Sequence, residues 1–293
     1  MITAKLGKVK VGDGHPVSVI GAINLSPDSF YRKSVRNPEQ AMARAQEMVE
    51  QGATIIDVGA MATGPRAKPI PVDLELRRMV PAVKAIARKS DVTISVDTQR
   101  AEVAEAAVSA GASVVNDVSG LKSDQKMAEV IADYGCSVIL MASSKAPGDV
   151  YEVGEIKRAL AGSLEICKKH GVSLKRVVLD PAVGYWPARL KRLGQKSKAQ
   201  LGGRPYSYAA FLDLRILARL EEFRKLGRPI CVGISRKSFV GTVTGLKDPD
   251  QRLAGSLAAS AVAVFNGADV LRAHDPAETV QAARIAEAIR SAR

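Results

Sequence analysis

The sequence predicts an α/β protein of one domain, a single (β/α)8 TIM barrel. Three observations carry that expectation. Eight short, β-branched apolar runs are each followed by an amphipathic stretch of helical period. A phrase of helix, Gly-Ala and strand recurs as "EQGATIID", "SAGASVVND" and "FNGADVLRAHD", the trace of a repeated βα unit whose right-handed crossovers close a sheet on itself. An open doubly wound sheet would offer a Gly-rich phosphate loop after its first strand, and none is present.

After a leader from Met1 to Pro16, the first strand is expected over Ser18–Asn24. The others follow at Thr54–Gly59, Val92–Thr98, Ser113–Val118, Ser137–Ala142, Val177–Asp180, Pro229–Ser235 and Asp269–His274. They do not alternate polar and apolar residues, as befits parallel strands covered on both faces. Helices are expected over Pro38–Gln51, with Ala41, Ala45, Met48 and Val49 on its buried face, and over Val72–Lys89, Arg100–Ala110, Asp124–Tyr134, Val153–His170, Tyr208–Leu226, Gln251–Asn266 and Pro276–Ala292. Gly52, Gly111, Gly135, Gly171, Gly227 and Gly267 stand as stops after six of them. The domain spans 1–293, with the barrel over 17–293 and a basic insertion over 186–207.

The formal net charge is +13, which points to an anionic partner. The excess is not laid out as a basic stripe interleaved with aromatics, so nucleic acid is not the expected partner. Much of it lies in Arg189, Lys191, Arg192, Lys196, Lys198 and Arg204, with no acid between Asp180 and Asp213. A solvated surface insertion explains that segment most simply; phosphate capture, an RNA contact and a subunit contact are the alternatives. The three cysteines, Cys136, Cys167 and Cys231, lack metal spacing and read as small buried residues in a reducing compartment. No apolar run approaches a membrane span and no signal-peptide pattern opens the chain, so a cytoplasmic protein without a membrane partner is expected.

Barrel active sites gather at the C-terminal ends of the strands. Those ends read Asn24, Asp57, Asp97, Asn116, Met141, Asp180, then Ser235-Arg236-Lys237, and finally Arg272, His274 and Asp275. For any single residue a capped or salt-bridged strand end is an adequate account, and Asp57 divides evenly between the two roles. Convergence of so many polar ends on one rim points to a ligand. Asp97, Asn116 and Asp180 suit the edge of a flat nitrogen heterocycle, because carboxylates accept from ring N–H and amino groups while an amide both donates and accepts. Lys237 is suited to donate beside them. Arg272 is suited to lie over a ring face, to pair with an anion, or to do both. His274, with Asn24 across the seam, suits a phosphate group or its Mg2+, which needs only one or two protein ligands. His15 and His170 are expected to face solvent. There is no nucleophilic triad and no histidine metal cluster, so positioning and electrostatic stabilisation are the expected catalytic means.

From about Val19 onward the sequence resembles the dihydropteroate synthase family. The resemblance is carried by "GAINLSPDSF", "GATIIDVG", "ISVDTQRAEV", "GASVVNDVSG", "VVLDPAVGY", "VGISRKSFVG", "RLAGSLAA" and "GADVLRAHDPAET", in order and on the appropriate strands. It implies a barrel that joins 6-hydroxymethyl-dihydropterin diphosphate to p-aminobenzoate with release of diphosphate by an SN1-like route. By motif it implies a pterin site of Asp97, Asn116, Asp180, Lys237, Arg272 and Met141. It implies a diphosphate site of Asn24, Arg272 and His274 with Mg2+ on Asn24, and an arylamine site of Thr63, Pro65 and Ser238. Arg236 would stand as a wall between the two substrates.

The loops depart from the family pattern. "NVTPDSFSDGG" is here "NLSPDSFYRKS", which leaves Asp28, Phe30 and Arg32 as loop candidates. "GGESTRPG" is here "GAMATGPRAK", with Gly64 at the arginine position and Arg66 close by. "MHM" is reduced to Met141, and "DPGIGFGK" has become "DPAVGYWP". The altered loops leave the arylamine open: p-aminobenzoate, or a larger phosphorylated arylamine of the methanopterin type. A methyl-tetrahydropterin:corrinoid methyltransferase and a non-catalytic pterin or RNA binder are the alternatives from other classes. The apolar helix over Leu253–Val264 leads us to expect a homodimer.

Overall fold

The computed structural model describes residues 1–27, 37–62, 69–194 and 199–292. Eight of its strands are β3 (Ser18–Asn24), β4 (Ile55–Gly59), β5 (Thr93–Asp97), β6 (Val114–Asp117), β7 (Ser137–Met141), β8 (Val177–Asp180), β11 (Cys231–Gly233) and β12 (Val270–Ala273). They run parallel in one sheet, in the order β11-β12-β3-β4-β5-β6-β7-β8. The sheet closes where Leu179 pairs with Ile230 and its N–H donates to the Pro229 carbonyl at 2.9 Å. The predicted (β/α)8 barrel is the observed fold. Its strands are buried along almost their whole length, which is why they lack alternation.

Helices cover the barrel by burying one stripe each. Helix α1 (Pro38–Glu50) starts at a reciprocal cap in which Asn37 and Gln40 satisfy each other's backbone N–H. It buries Ala41, Ala45 and Met48, whereas Val49, expected on that face, is 36% exposed. Helix α2 (Val72–Lys89) buries Glu75, Met79, Ala82, Val83 and Ile86. The remaining long helices are α3 (Ala101–Ser109), α5 (Val153–Lys169), α10 (Leu253–Phe265) and α11 (Pro276–Ser291), with a short α4 (Met127–Asp133).

The helix expected over Tyr208–Leu226 breaks at Arg219 into α7 (Tyr208–Ala218) and α8 (Leu220–Arg224). The side chain of Asn266 donates to the Leu217 carbonyl at 3.0 Å, a helix-end acceptor satisfied from another element. Cys136, Cys167 and Cys231 are buried free thiols, as read from the sequence.

The leader is an antiparallel hairpin, β1 (Thr3–Leu6) with β2 (Val9–Gly12). It stoppers the N-terminal end of the barrel. Leu6 and Val11 are fully buried against Ile20, Ile55, Val114, Ile139, Val178 and Val270. The Lys5 carbonyl accepts from Ser137 Oγ at 2.7 Å, and the Gly7 N–H donates back to the same oxygen at 3.0 Å.

The stretch after β8 also has structure. Helix α6 (Pro187–Leu193) leads to a hairpin of β9 (Ala199–Leu201) and β10 (Arg204–Tyr206), turned by Gly202-Gly203, both at positive φ. The picture of this segment as a run of solvated cations fails at Arg189, which is fully buried and paired with Asp213. Arg192 is partly exposed, forks onto Glu155 and lies over the Tyr151 ring. Lys196 and Lys198 lie outside the described residues.

Candidate active site

Strand register puts the rim residues side by side. Asn24 pairs with Gly59, Gly59 with Asp97, and Asp97 with Asn116, while Met141 pairs with Asp180 two strands on. Gly59 lies between Asn24 and Asp97: a Cβ there would stand in ordinary contact, 3.5 Å from the Asp97 Cβ and 3.9 Å from Asn24 Oδ1.

The centre of the site is Arg272, on β12. Its Nε donates to Asp57 Oδ2 at 2.7 Å and its Nη2 to Asp97 Oδ2 at 3.3 Å. Asp57 Oδ2 also accepts from Asn116 Nδ2 at 3.4 Å. Asp57, evenly divided between roles from the sequence, is therefore the hub that ties Arg272 to the Asn116 amide. Its place at a strand end put it on the rim; nothing in the sequence named its partners. Its second oxygen, Oδ1, is buried without a hydrogen-bond partner. Asp57 and Asp97 raise the pKa of Arg272 against the opposing effect of burial, so the guanidinium stays charged.

Burial, opposed by Arg272 and reinforced by Asp57, Glu75 and Asp117, lifts the Asp97 carboxyl to about 7. Asp180 is likewise raised by burial and opposed chiefly by Lys237. Its Oδ1 accepts from the Ala182 N–H at 2.7 Å. Lys237, the residue before the short helix α9 (Ser238–Thr244), donates to the Val183 carbonyl at 2.5 Å and lies 5.7 Å from the centroid of the Trp186 ring. Burial lowers its pKa, with Asp180 and Asp213 pulling the other way. Met141 is buried at the end of β7, and Ser238 is partly exposed at the start of α9.

His274 sits at the seam, 5% exposed, with Nδ1 3.0 Å from Ser235 Oγ. Its carbonyl accepts from Arg44 Nη2 at 2.9 Å. Burial, aided by Arg272, Arg236, Lys237 and Arg44, pushes its pKa down to about 3. The ring is therefore neutral at working pH, and an anion meets it as a hydrogen-bond partner. His15 and His170 are both part-exposed.

Arg236 corrects the picture of a wall between substrates. It is buried, stands at φ 57, and forks onto Asp275 at 2.8 and 2.9 Å while donating to the Pro249 and Asp250 carbonyls. It clamps the loop after β11 to the loop after β12. The sequence also missed Trp186, Arg189 and Asp213; the one signal was the abrupt change from "GFGK" to "GYWP". Asp28, Phe30 and Arg32, and likewise Thr63, Pro65 and Arg66, lie outside the described residues.

Among the described residues no group of three or more His, Cys, Asp or Glu converges to hold a metal ion. No described helix is long and apolar enough to cross a membrane.

A family profile described as pterin binding enzyme matches residues 20–199 and 207–274; the gap falls on the β9–β10 hairpin. The dihydropteroate synthase of Escherichia coli strain K12 is 35% identical over 287 residues, which cover 95% of this chain and 93% of that one. The chain belongs to the dihydropteroate synthase family. Family members of known structure share its architecture. The Coxiella burnetii enzyme, solved in complex with pteroic acid, superposes with a TM-score of 0.82 at 31% identity, covering all of both chains. The Xanthomonas albilineans dihydropteroate synthase in complex with 7,8-dihydropteroate superposes at 0.79 with 30% identity over 99% of each chain. As a member of this family the protein is a transferase.

Proposed function

We propose that this family member joins 6-hydroxymethyl-7,8-dihydropterin diphosphate to p-aminobenzoate and releases diphosphate. The observation that carries the reading is one mouth with two chemistries. Asp97, Asn116, Asp180, Met141 and Lys237 would face the heterocycle, His274 the anion, and Arg272, which donates to Asp97, would serve both. The Coxiella and Xanthomonas enzymes, whose structures hold pteroic acid and dihydropteroate, bind the pterin–aminobenzoate skeleton such a site would make.

In this reading the ionised Asp97 and Asp180 accept the ring N–H and amino protons, and Asn116 reads the adjoining ring position. Arg272 and the neutral His274 hold the diphosphate. The C–O bond of the pterin methylene breaks with its electron pair leaving on diphosphate. Asp97 and Asp180 stabilise the developing pterin-methyl cation electrostatically. The arylamine nitrogen, oriented beside Ser238, then forms the C–N bond, and its excess proton passes to solvent.

Asn24, an amide at the rim without an acidic cage, fits a Mg2+ that arrives with diphosphate, since Mg2+ commonly keeps only one or two protein ligands beside phosphate oxygens. Such an ion supplies neutralisation of the leaving charge. Val262, Ile285 and Ile289 stand 53, 64 and 57% exposed on α10 and α11, which supports a homodimer through this face; a monomeric mass in solution would refute it. A cytoplasmic location is part of the same proposal.

Turnover of purified protein with the pterin diphosphate, Mg2+ and either p-aminobenzoate or a ribofuranosyl-aminobenzene phosphate tests the reading. Diphosphate release with p-aminobenzoate supports it. Release with the phosphorylated amine alone assigns the larger substrate, and no release with either defeats the synthase assignment.

A further inference from the structure

Arg189 heads the fully buried side chains among the described residues by volume, and nothing in the reaction above uses it. All five of its N–H groups are spent. Nη1 donates to the Gly184 carbonyl and to Asp213 Oδ1, both at 3.0 Å. Nη2 donates to the carbonyls of Ala182 at 2.8 Å and Val150 at 2.9 Å, and Nε to that of Gly148 at 3.3 Å. Asp213 Oδ1 accepts in turn from the Gly184 N–H at 2.8 Å. One guanidinium thus binds the loop after β8, the loop after β7 and helix α7.

What it grips is the wall of the candidate site. Ala182 and Gly184, whose carbonyls it takes, stand at φ 63 and φ 133, and the residue between them, Val183, offers its carbonyl to the Lys237 ammonium. Gly184 admits nothing larger, since a Cβ would meet the Lys237 side chain at 3.3 Å in a conformation L residues rarely adopt. Trp186 belongs to the same unit. Its Nε1 donates to the Ala182 carbonyl at 3.0 Å, and its ring lies so close over Gly148 that a Cβ there would fall 2.1 Å from Cγ. The other side of that unit is the Lys237 ammonium.

We propose that Arg189 is a positioning residue for Lys237, fixing through the Val183 carbonyl and the Trp186 ring the place from which that ammonium meets the pterin. The proposal rests on the assignment of Lys237 to the pterin. The segment after β8 thereby acquires a part in the site, because its helix carries the guanidinium that shapes the wall. A buried charged group is weak evidence for stability, because apolar residues of equal volume fill a core at least as well. The hydrogen bonds of Arg189 end on backbone of the loops after β7 and β8, which frame Lys237 and Trp186, or on the carboxylate that braces that backbone.

Trp186 is the single tryptophan of the chain, so its fluorescence reads the loop directly. The probe is 6-hydroxymethylpterin, which lacks the diphosphate. Its affinity is measured by quenching of Trp186 and by calorimetry for wild type, R189M, R189K and D213N, alongside kcat and the KM for the pterin diphosphate. R224M is the control, because Arg224 clamps Asp13 and Asp269 near the stoppered end of the barrel. Displacing a contact group by about an ångström costs up to about 100-fold. We therefore expect the Arg189 variants to lose roughly 10- to 100-fold in pterin affinity, with a shifted Trp186 emission and a raised KM.

At a matched loss of Tm, R224M should change neither emission nor affinity. If R189M does not fold, R189K and D213N carry the test. Wild-type affinity and emission in folded R189K overturn the proposal, as does an equal loss of affinity in R224M. Failure of the wild type to bind the pterin at all would instead remove the assignment of the site, and the positioning role with it.

Discussion

Asp97→Asn probes the electrostatics of the site most directly. Burial lifts the Asp97 carboxyl from 3.8 to about 7 although Arg272 opposes it. An acid whose native value is raised favours the fold at low pH; the contribution is fully present below the unfolded value and is lost as pH rises through the native one. A shift of about three units at about 1.36 kcal/mol each corresponds to about 4 kcal/mol lost between about pH 4 and pH 7. His274 acts in the opposite sense. Its value falls from 6.5 to about 3, so stability is lost as pH drops through that interval, by a similar amount. Between about pH 4 and pH 6.5 the two slopes oppose each other, and the wild-type profile conceals both.

The asparagine variant separates them. Relative to wild type it should gain about 4 kcal/mol between pH 4 and pH 8, or about 8 °C in Tm at about 2 °C per kcal/mol for a chain of this size. His274→Gln should diverge the opposite way, gaining on wild type as pH falls from 6.5. Thermal melts of the three proteins across that range decide the matter. Melting curves of D97N and wild type that run parallel within 2 °C or so would refute the reasoning. Function should follow the same group: pterin binding by the wild type should weaken as pH falls below about 7, and in D97N it should be weak and flat.

Lys237→Ala should reduce pterin affinity by roughly 10- to 100-fold, the loss of a charge-assisted hydrogen bond, and disturb free diphosphate binding less; calorimetry with each ligand gives the order, and the reverse order overturns the assignment. Arg236→Met leaves Asp275 without its fork and should cost about 3–5 kcal/mol in urea unfolding; a loss below about 1 kcal/mol would mean that the clamp between the two loops is not structural. Leu6→Ala, in the stopper of the barrel, should cost about 2–5 kcal/mol with kcat unchanged, and a fall in kcat at full folding would contradict the separation of the two ends.

The eight strands and the rim residues were legible because the βα period and the C-terminal end of each apolar run are local properties. Asp97, Asn116 and Asp180 needed only a strand end and a fold to reach one rim. Arg189 was illegible because burial is not a property of a basic run. Its partners come from positions 148–150, 182–184 and 213, and only the folded chain assembles them. Arg236 misled for a related reason: an arginine beside a lysine and a serine assigned to two substrates reads as a wall between them, until Asp275 from the next loop claims it. The hairpin at residues 3–12 was missed because each of its strands is four residues long, too short to display a period.

That hairpin draws its contacts from nearly the whole length of the chain. Its hydrogen-bond partner Ser137 lies 132 residues further along the chain from Lys5, and the apolar side chains that receive Leu6 extend to Val270. Strand β3, the first of the barrel, pairs with β4 on one side but completes its other edge only with β12. As the chain emerges in sequence, the early segment has nothing to seal until nearly all the rest has formed. The stopper is laid down first, and its full seat exists only once the last strand is in place. Until then the apolar floor of the barrel lacks its cover, so a chain cut short before β12 should expose apolar surface at the end opposite the candidate site.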